Sequence, residues 1–258
     1  MPSLRDKKNT AAPSMFRPDA LLREARRQKG LATVEVPRVC ILDPDGDIVR
    51  RLRKTGAARP FEGWPCYHTE LDTFTLAGKT AGIVGCAVGA PFAVLIAEEL
   101  FASGCRLLLS LTSAGQISDS APTPYFVIID RALRDEGTSY HYAEPAEYAE
   151  ADPRLVAAAA DALGKTRQRF FIGATWTTDA PFRETADAIE TARAKGALAV
   201  EMEAAALYAF ARKTAAPVLC LAHVTNAMGR TEGDFEKGEA DGTVDALEVL
   251  GAIVGALG

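Results

Sequence analysis

The sequence lacks any apolar run approaching the roughly 20 residues that a membrane-spanning helix needs, so no membrane segment is expected. It has no Cys-x-x-Cys pair, and its five cysteines, at 40, 66, 86, 105 and 220, are odd in number. A complete disulfide framework is thereby excluded. Cys86 and Cys105 lie in apolar runs and read as buried free thiols, which suits a reducing cytoplasm. The only histidines, His68, His141 and His223, show no His-x-x-x-His spacing, so no metal centre is expected. A G-x-G-x-x-G fingerprint is missing too. Gly85-x-x-x-Gly89-Ala90-Pro91 has the wrong spacing, and no acidic residue ends a second strand about 20 residues on, which argues against a dinucleotide fold. The first residues, Met1 to Asp19, are polar and carry no hydrophobic core of a secretory signal. No repeat and no low-complexity segment is present, which excludes solenoids.

Charge of neither sign dominates. Lys plus Arg is 29 and Asp plus Glu is 34, a net of −5. A mildly acidic chain is a poor general binder of nucleic acid or anionic membrane, and neither partner is expected. Basic residues do gather early, as Arg23, Arg26, Arg27 and Lys29, then Arg50, Arg51, Arg53 and Lys54. They read as a solvated helix face or as a local anion site.

What is present is an ordinary globular composition, 48% hydrophobic and 24% charged over 258 residues. At about 150 residues per domain that length allows one large domain or two. Strand-like and helix-like runs alternate. Helices are expected at 18–29, 92–103, 152–163, 184–195, 202–213 and 240–256. Strands are expected at 36–42, 67–76, 80–86, 106–112, 125–130, 169–176, 197–202 and 217–225. The alternation argues for a layered α/β domain whose apolar strands are covered by helices. Binding sites in such sheets gather at the carboxyl ends of strands, which directs attention to 43–47, 86–91, 112–116, 176–184, 201–203 and 224–230.

Each of these stretches has a plain and a chemical reading. Gly89 with Pro91 makes a tight strand-to-helix turn, or offers backbone N–H groups to an anion. Thr112-Ser113-Ala114-Gly115 is turn chemistry, or a pair of hydroxyls for a phosphate or a sugar. Glu201-Met202-Glu203 places acids at a helix N-terminus, where the dipole favours them; alternatively the carboxylates accept from the paired hydroxyls of a ribose. In the loop 177–185, Phe182 and Arg183 can wall a flat ligand, or merely precede a helix. Asn226 is an ordinary turn residue, or gives a heterocycle both a donor and an acceptor.

Taken together and in this order, the motifs resemble the nucleoside phosphorylase superfamily. Val200-Glu201-Met202-Glu203 followed by Ala206-Leu207 resembles its V-E-M-E-x-x-A-L signature. Gly89-x-Pro91 with Glu98-Glu99-Leu100, Ser113-Ala114-Gly115, Asp135 to Ser139 and Thr178 to Thr185 are similar to further segments, over roughly 36–256. The resemblance implies a single α/β domain over 19–258 after a flexible arm at 1–18. It implies three layers around a central mixed, partly barrel-like sheet flanked by helices, in a dimer or a hexamer. It implies cleavage of a nucleoside's N-glycosidic bond without a cofactor, inorganic phosphate being the co-substrate. Glu203 would hold the ribose hydroxyls, with Met202 and Glu201 beside the sugar. Phe182, Arg183 and Asn226 would meet the base. Gly89, Thr112, Ser113, Ala114, Gly115 and His68 would serve the sugar and phosphate side. Phosphorolytic members carry three arginines for phosphate. Here the corresponding places read Leu42-Asp43-Pro44-Asp45-Gly46, Ser110 and Tyr67-His68-Thr69. A nucleosidase using water, or a non-catalytic nucleoside binder, therefore remains as an alternative.

Overall fold

The structure, a computed structural model, describes residues 9–119, 121–227, 237 and 239–258. Among these residues ten strands form one mixed sheet: β1 Val39–Asp43, β2 Ala58–Pro60, β3 Asp72–Leu76, β4 Lys79–Gly85, β5 Leu107–Gln116, β6 Tyr125–Asp135, β7 Tyr148–Glu150, β8 Phe170–Thr178, β9 Ala197–Glu201 and β10 Val218–Asn226. The strand order is β10-β6-β8-β9-β5-β1-β4-β3-β2, and β10 also pairs with β5. That extra pairing closes β5, β10, β6, β8 and β9 into a five-stranded barrel. The other end of the sheet continues outward through β1.

Among the described residues seven helices cover it: α1 Pro18–Lys29, α2 Asp47–Lys54, α3 Ala90–Ala102, α4 Pro153–Leu163, α5 Ala186–Ala194, α6 Ala204–Thr214 and α7 Thr243–Leu257. On one face α3 and α6 bury Ile96, Leu100, Leu207 and Phe210 against Leu42, Leu108 and Ala222. On the other, α2, α4 and α7 bury Ile48, Leu52, Leu163, Leu250 and Ile253 against Ile41, Leu109 and Leu221. The all-buried β1 and β10 match the apolar runs that predict covered strands. Among the described residues no helix is long and apolar enough to cross a membrane.

The structure departs from the sequence expectation in instructive places. β3 starts at Asp72 rather than at 67, because side-chain bonds compete with strand pairing there. Trp64 Nε1 donates to the Thr69 hydroxyl at 3.0 Å, and Cys66 Sγ accepts from the His68 N–H at 3.3 Å. Thr112 to Gly115, expected as a turn, is strand. Ser113 pairs with His223 of β10, and Gly115 with Val200 of β9, so barrel closure overrides turn propensity. The eight-residue α2 is missing from the expectation because four of its residues are basic. Ile48, Val49 and Leu52 still form a buried stripe. On its outer side Arg53 pairs with buried Asp72 at 2.6 Å, and Arg50 pairs with Asp47.

Candidate active site

β1, β4, β5 and β10 run parallel, so the loops that follow them open at one end of the sheet. β9 delivers Glu201-Met202-Glu203 to the same end, just before α6. Glu203 is 1% exposed. Its Oε1 accepts the Gly89 N–H at 2.7 Å, and its Oε2 has no partner. Gly89 precedes α3 with φ at +88°, a conformation L side chains avoid, and this turns its N–H toward the carboxylate. Burial, and then the neighbouring Glu201 charge, push the Glu203 carboxyl up to about 8.

Glu201 stands in contrast. Its Oε1 accepts the hydroxyls of Thr175 (3.0 Å) and Thr177 (2.5 Å), and its Oε2 accepts the N–H groups of Glu203 and Ala204, each at 2.7 Å. Burial pushes its carboxyl up, and those four donors pull it back. The carboxylate thus ties β8 to the first turn of α6 and has its acceptor positions in use within the chain. With donors favouring the ionised form at Glu201, Glu203 is the member of the pair that takes a proton first.

Two more buried polar atoms at this end lack partners, the Thr225 hydroxyl and His223 Nε2. The His223 ring stacks on Phe126 with centroids 4.2 Å apart, and burial drives its pKa down to about 4. Native proteins leave few buried polar groups unpaired, so these orphans near the carboxyl ends of β9 and β10 are candidate positions for a polar ligand.

Beside them, Ser113 is committed. Its N–H and its hydroxyl both donate to the Asp45 carboxylate, at 2.7 and 2.9 Å. Lys237 Nζ lies 2.7 Å from Asp47 and 3.5 Å from Asp45. Burial opposes the Lys237 charge, but Asp45 and Asp47 hold its pKa above the ordinary lysine value. Arg50 donates to the Asp45 carbonyl at 2.9 Å. Asp43, pushed to about 7 by burial, accepts the Gly46 and Val49 N–H groups at 3.2 and 2.9 Å and so shapes the turn. Gly46 is required there, because a Cβ would sit 2.5 Å from Cys86 Sγ at a φ of +76°.

The remaining expected site residues fall as follows. Asn226 is buried at the end of β10, its Nδ2 3.5 Å from the Ala114 carbonyl. Thr112 and Ala114 are buried in β5, Gly115 is half-buried in it, and Met202 is half-buried between the two glutamates. Phe182 is 99% exposed in a short 3-10 turn, Pro181–Arg183, and Arg183 is exposed beside it. His68 is exposed, and burial raises the carboxyl of Glu99 on α3. Residues 228–230 of the expected 224–230 stretch lie outside the described residues. Sequence reasoning missed Lys237 and the Asp45–Ser113 link, and it gave His223, and Thr225 inside the 224–230 stretch, no role. Two acids directly after an apolar strand, Asp45 and Asp47, were the available signal for that link.

A sequence model of the Phosphorylase superfamily matches residues 38–256. A purine nucleoside phosphorylase (DeoD-type) of Hahella chejuensis is 30% identical over 156 residues, covering 58% of this chain and 64% of that protein. A guanosine phosphorylase of Halorubrum lacusprofundi is 29% identical over 53% of this chain and 56% of its own length. A uridine phosphorylase of Thermococcus kodakarensis is 28% identical over 71% of this chain and 72% of its own. The crystal structure of uridine phosphorylase from Vibrio fischeri superposes with a TM-score of 0.73 at 20% identity, covering 86% of this chain and 94% of that one. The chain thus spans a little under two thirds of the Hahella protein and little more than half of the Halorubrum protein.

Proposed function

The chain belongs to the phosphorylase superfamily, and on that premise we propose that it is a pentosyltransferase-type enzyme cleaving the N-glycosidic bond of a (deoxy)ribonucleoside. The observation that carries this reading is the unpartnered, fully buried Glu203 Oε2, held in place by the Gly89 N–H. A sugar hydroxyl supplies the donor that this oxygen lacks. Once ionised, the carboxylate also stabilises positive charge developing on the pentose, in a buried setting where such an interaction is strong. Met202 packs against the sugar, and Thr225 and His223 take further hydroxyls. Asn226 meets the base, and the exposed Phe182–Arg183 turn closes over it. An Asn there cannot protonate a purine as an acid would, which favours a uracil-like base or a 6-oxopurine. Exposed Phe16, Val88 and Leu95 supply apolar surface for a second copy of the chain. The free cysteines suit a cytoplasmic setting.

Inorganic phosphate is the acceptor suggested by the names of the relatives. Water is the second reading, favoured by one observation: the donors of Ser113 are already bound to Asp45. The test is incubation with uridine, inosine, adenosine and methylthioadenosine, each with and without phosphate, with products read by chromatography and mass. Release of free base from at least one nucleoside is expected. Binding with no release from any of them leaves a nucleoside-binding protein and overturns the enzymatic reading.

A further inference from the structure

We infer that the acceptor subsite carries its own anion, the Asp45 carboxylate, and that this side chain sets water rather than phosphate as the acceptor. The inference rests on the nucleoside-cleaving reading above and names the acceptor it uses.

The Ser113 N–H and hydroxyl converge on the two oxygens of one carboxylate, at 2.7 Å to Oδ2 and 2.9 Å to Oδ1. Two donors to two oxygens of one anion is the match that a phosphate would also need. The cations nearby are engaged as well. Lys237 sits between Asp45 and Asp47, and Arg50 bridges the Asp45 carbonyl and the Asp47 carboxylate. Among the described residues two cations thus face two carboxylates, which leaves no net positive charge there for a dianion. Asp45 is also tethered two residues beyond the end of β1, so it meets Ser113 without the translational cost that a free anion must meet. Phosphate would have to expel Asp45 and then stand beside the displaced charge. Water is neutral, fits without expelling it, and finds in the carboxylate an acceptor for one of its protons.

The reaction then balances without phosphate. The C1′–N bond breaks with its electron pair leaving on the base, and the water oxygen forms the new bond to C1′. One proton is lost by the water and one is gained by the base, giving free pentose and free base.

The test has two arms. Calorimetric titration with inorganic phosphate reads the subsite directly, whether or not any nucleoside is turned over. The wild-type chain is expected to show no binding up to about 20 mM, while Asp45→Ala binds at least about tenfold more tightly and Asp45→Ala/Ser113→Ala loses the gain. Sub-millimolar binding by the wild type, or no gain in Asp45→Ala, overturns the inference. In the second arm, wild-type turnover in H2(18)O with phosphate present is expected to give free pentose carrying the label. Pentose 1-phosphate as the product overturns the inference, and this arm decides if Asp45→Ala does not fold. Failure of every nucleoside to be cleaved defeats the enzymatic reading instead, while the phosphate titration still decides whether Asp45 fills the subsite.

Discussion

Glu201 and Glu203 are two residues apart, both buried, and are finished in opposite ways. Glu201 spends its carboxylate on two threonine hydroxyls and two backbone N–H groups. Glu203 accepts from one N–H and keeps an oxygen in reserve. The difference separates a structural acid from one awaiting a ligand, although their residue type, burial and local sequence are alike. What distinguishes them is the partner count, since an unmet buried acceptor costs the fold free energy that a ligand can return.

The sharpest way to break this contrast is to neutralise each acid in turn. Glu203→Gln is expected to lower kcat/KM about 100- to 1000-fold on the nucleoside that is cleaved, as loss of a transition-state electrostatic partner does, with little change in the urea midpoint. Glu201→Ala is expected to do the reverse in emphasis. It strands four donors, at roughly 1 kcal/mol each, and costs about 3–4 kcal/mol of stability in a denaturant titration. If Glu201→Ala left stability intact, the division of labour between the two acids would be lost.

A pH series sharpens the comparison at smaller amplitude. Glu203 (about 8), Asp43 (about 7) and Glu184 (about 7) all have carboxyls raised by burial, so the folded chain holds protons that the unfolded chain has released. Stability from these groups is full below the ordinary carboxyl range and is lost as pH rises through their folded values. His223, depressed to about 4, acts with the opposite sign, and its contribution is lost as pH falls from about 6.5 toward 4. The melting temperature is therefore expected to fall by a few degrees between pH 6.5 and 8. Glu203→Gln should flatten the part between 7 and 8 while Asp43 and Glu184 keep the lower part. An identical slope in both proteins would mean that Glu203 is ionised throughout. The same titration predicts wild-type kcat/KM rising toward pH 8 as the carboxylate forms. The smallest effect is expected at the exposed turn. Phe182→Ala should raise KM a few-fold, as loss of a flat contact to the base does, with an unchanged melting temperature because nothing among the described residues packs on that ring.

Much of this was legible in the sequence. The apolar runs at 106–112 and 217–225 gave β5 and β10 because a strand covered on both faces must be apolar. The alternation gave the layering, and Glu201-Met202-Glu203 marked the candidate site. The sequence did not reveal which glutamate faces inward to the chain, since that depends on Thr175 and Thr177 lying alongside in β8. Nor did it reveal that Ser113 lies in a strand, because only barrel closure explains its pairing with His223. Asp45 reaches Ser113 across 68 residues, and Lys237 reaches Asp47 across 190. Such pairings are set by parallel strands ending side by side, which local pattern cannot register.

The central claim is that the reserve oxygen of Glu203 receives a sugar hydroxyl. Calorimetric binding of a ribonucleoside and of its 2′,3′-dideoxy analogue to the wild type and to Glu203→Gln measures it directly. The account predicts at least about tenfold weaker binding of the dideoxy analogue to the wild type, and a much smaller difference in the variant. Equal binding of the two compounds by the wild type would contradict it.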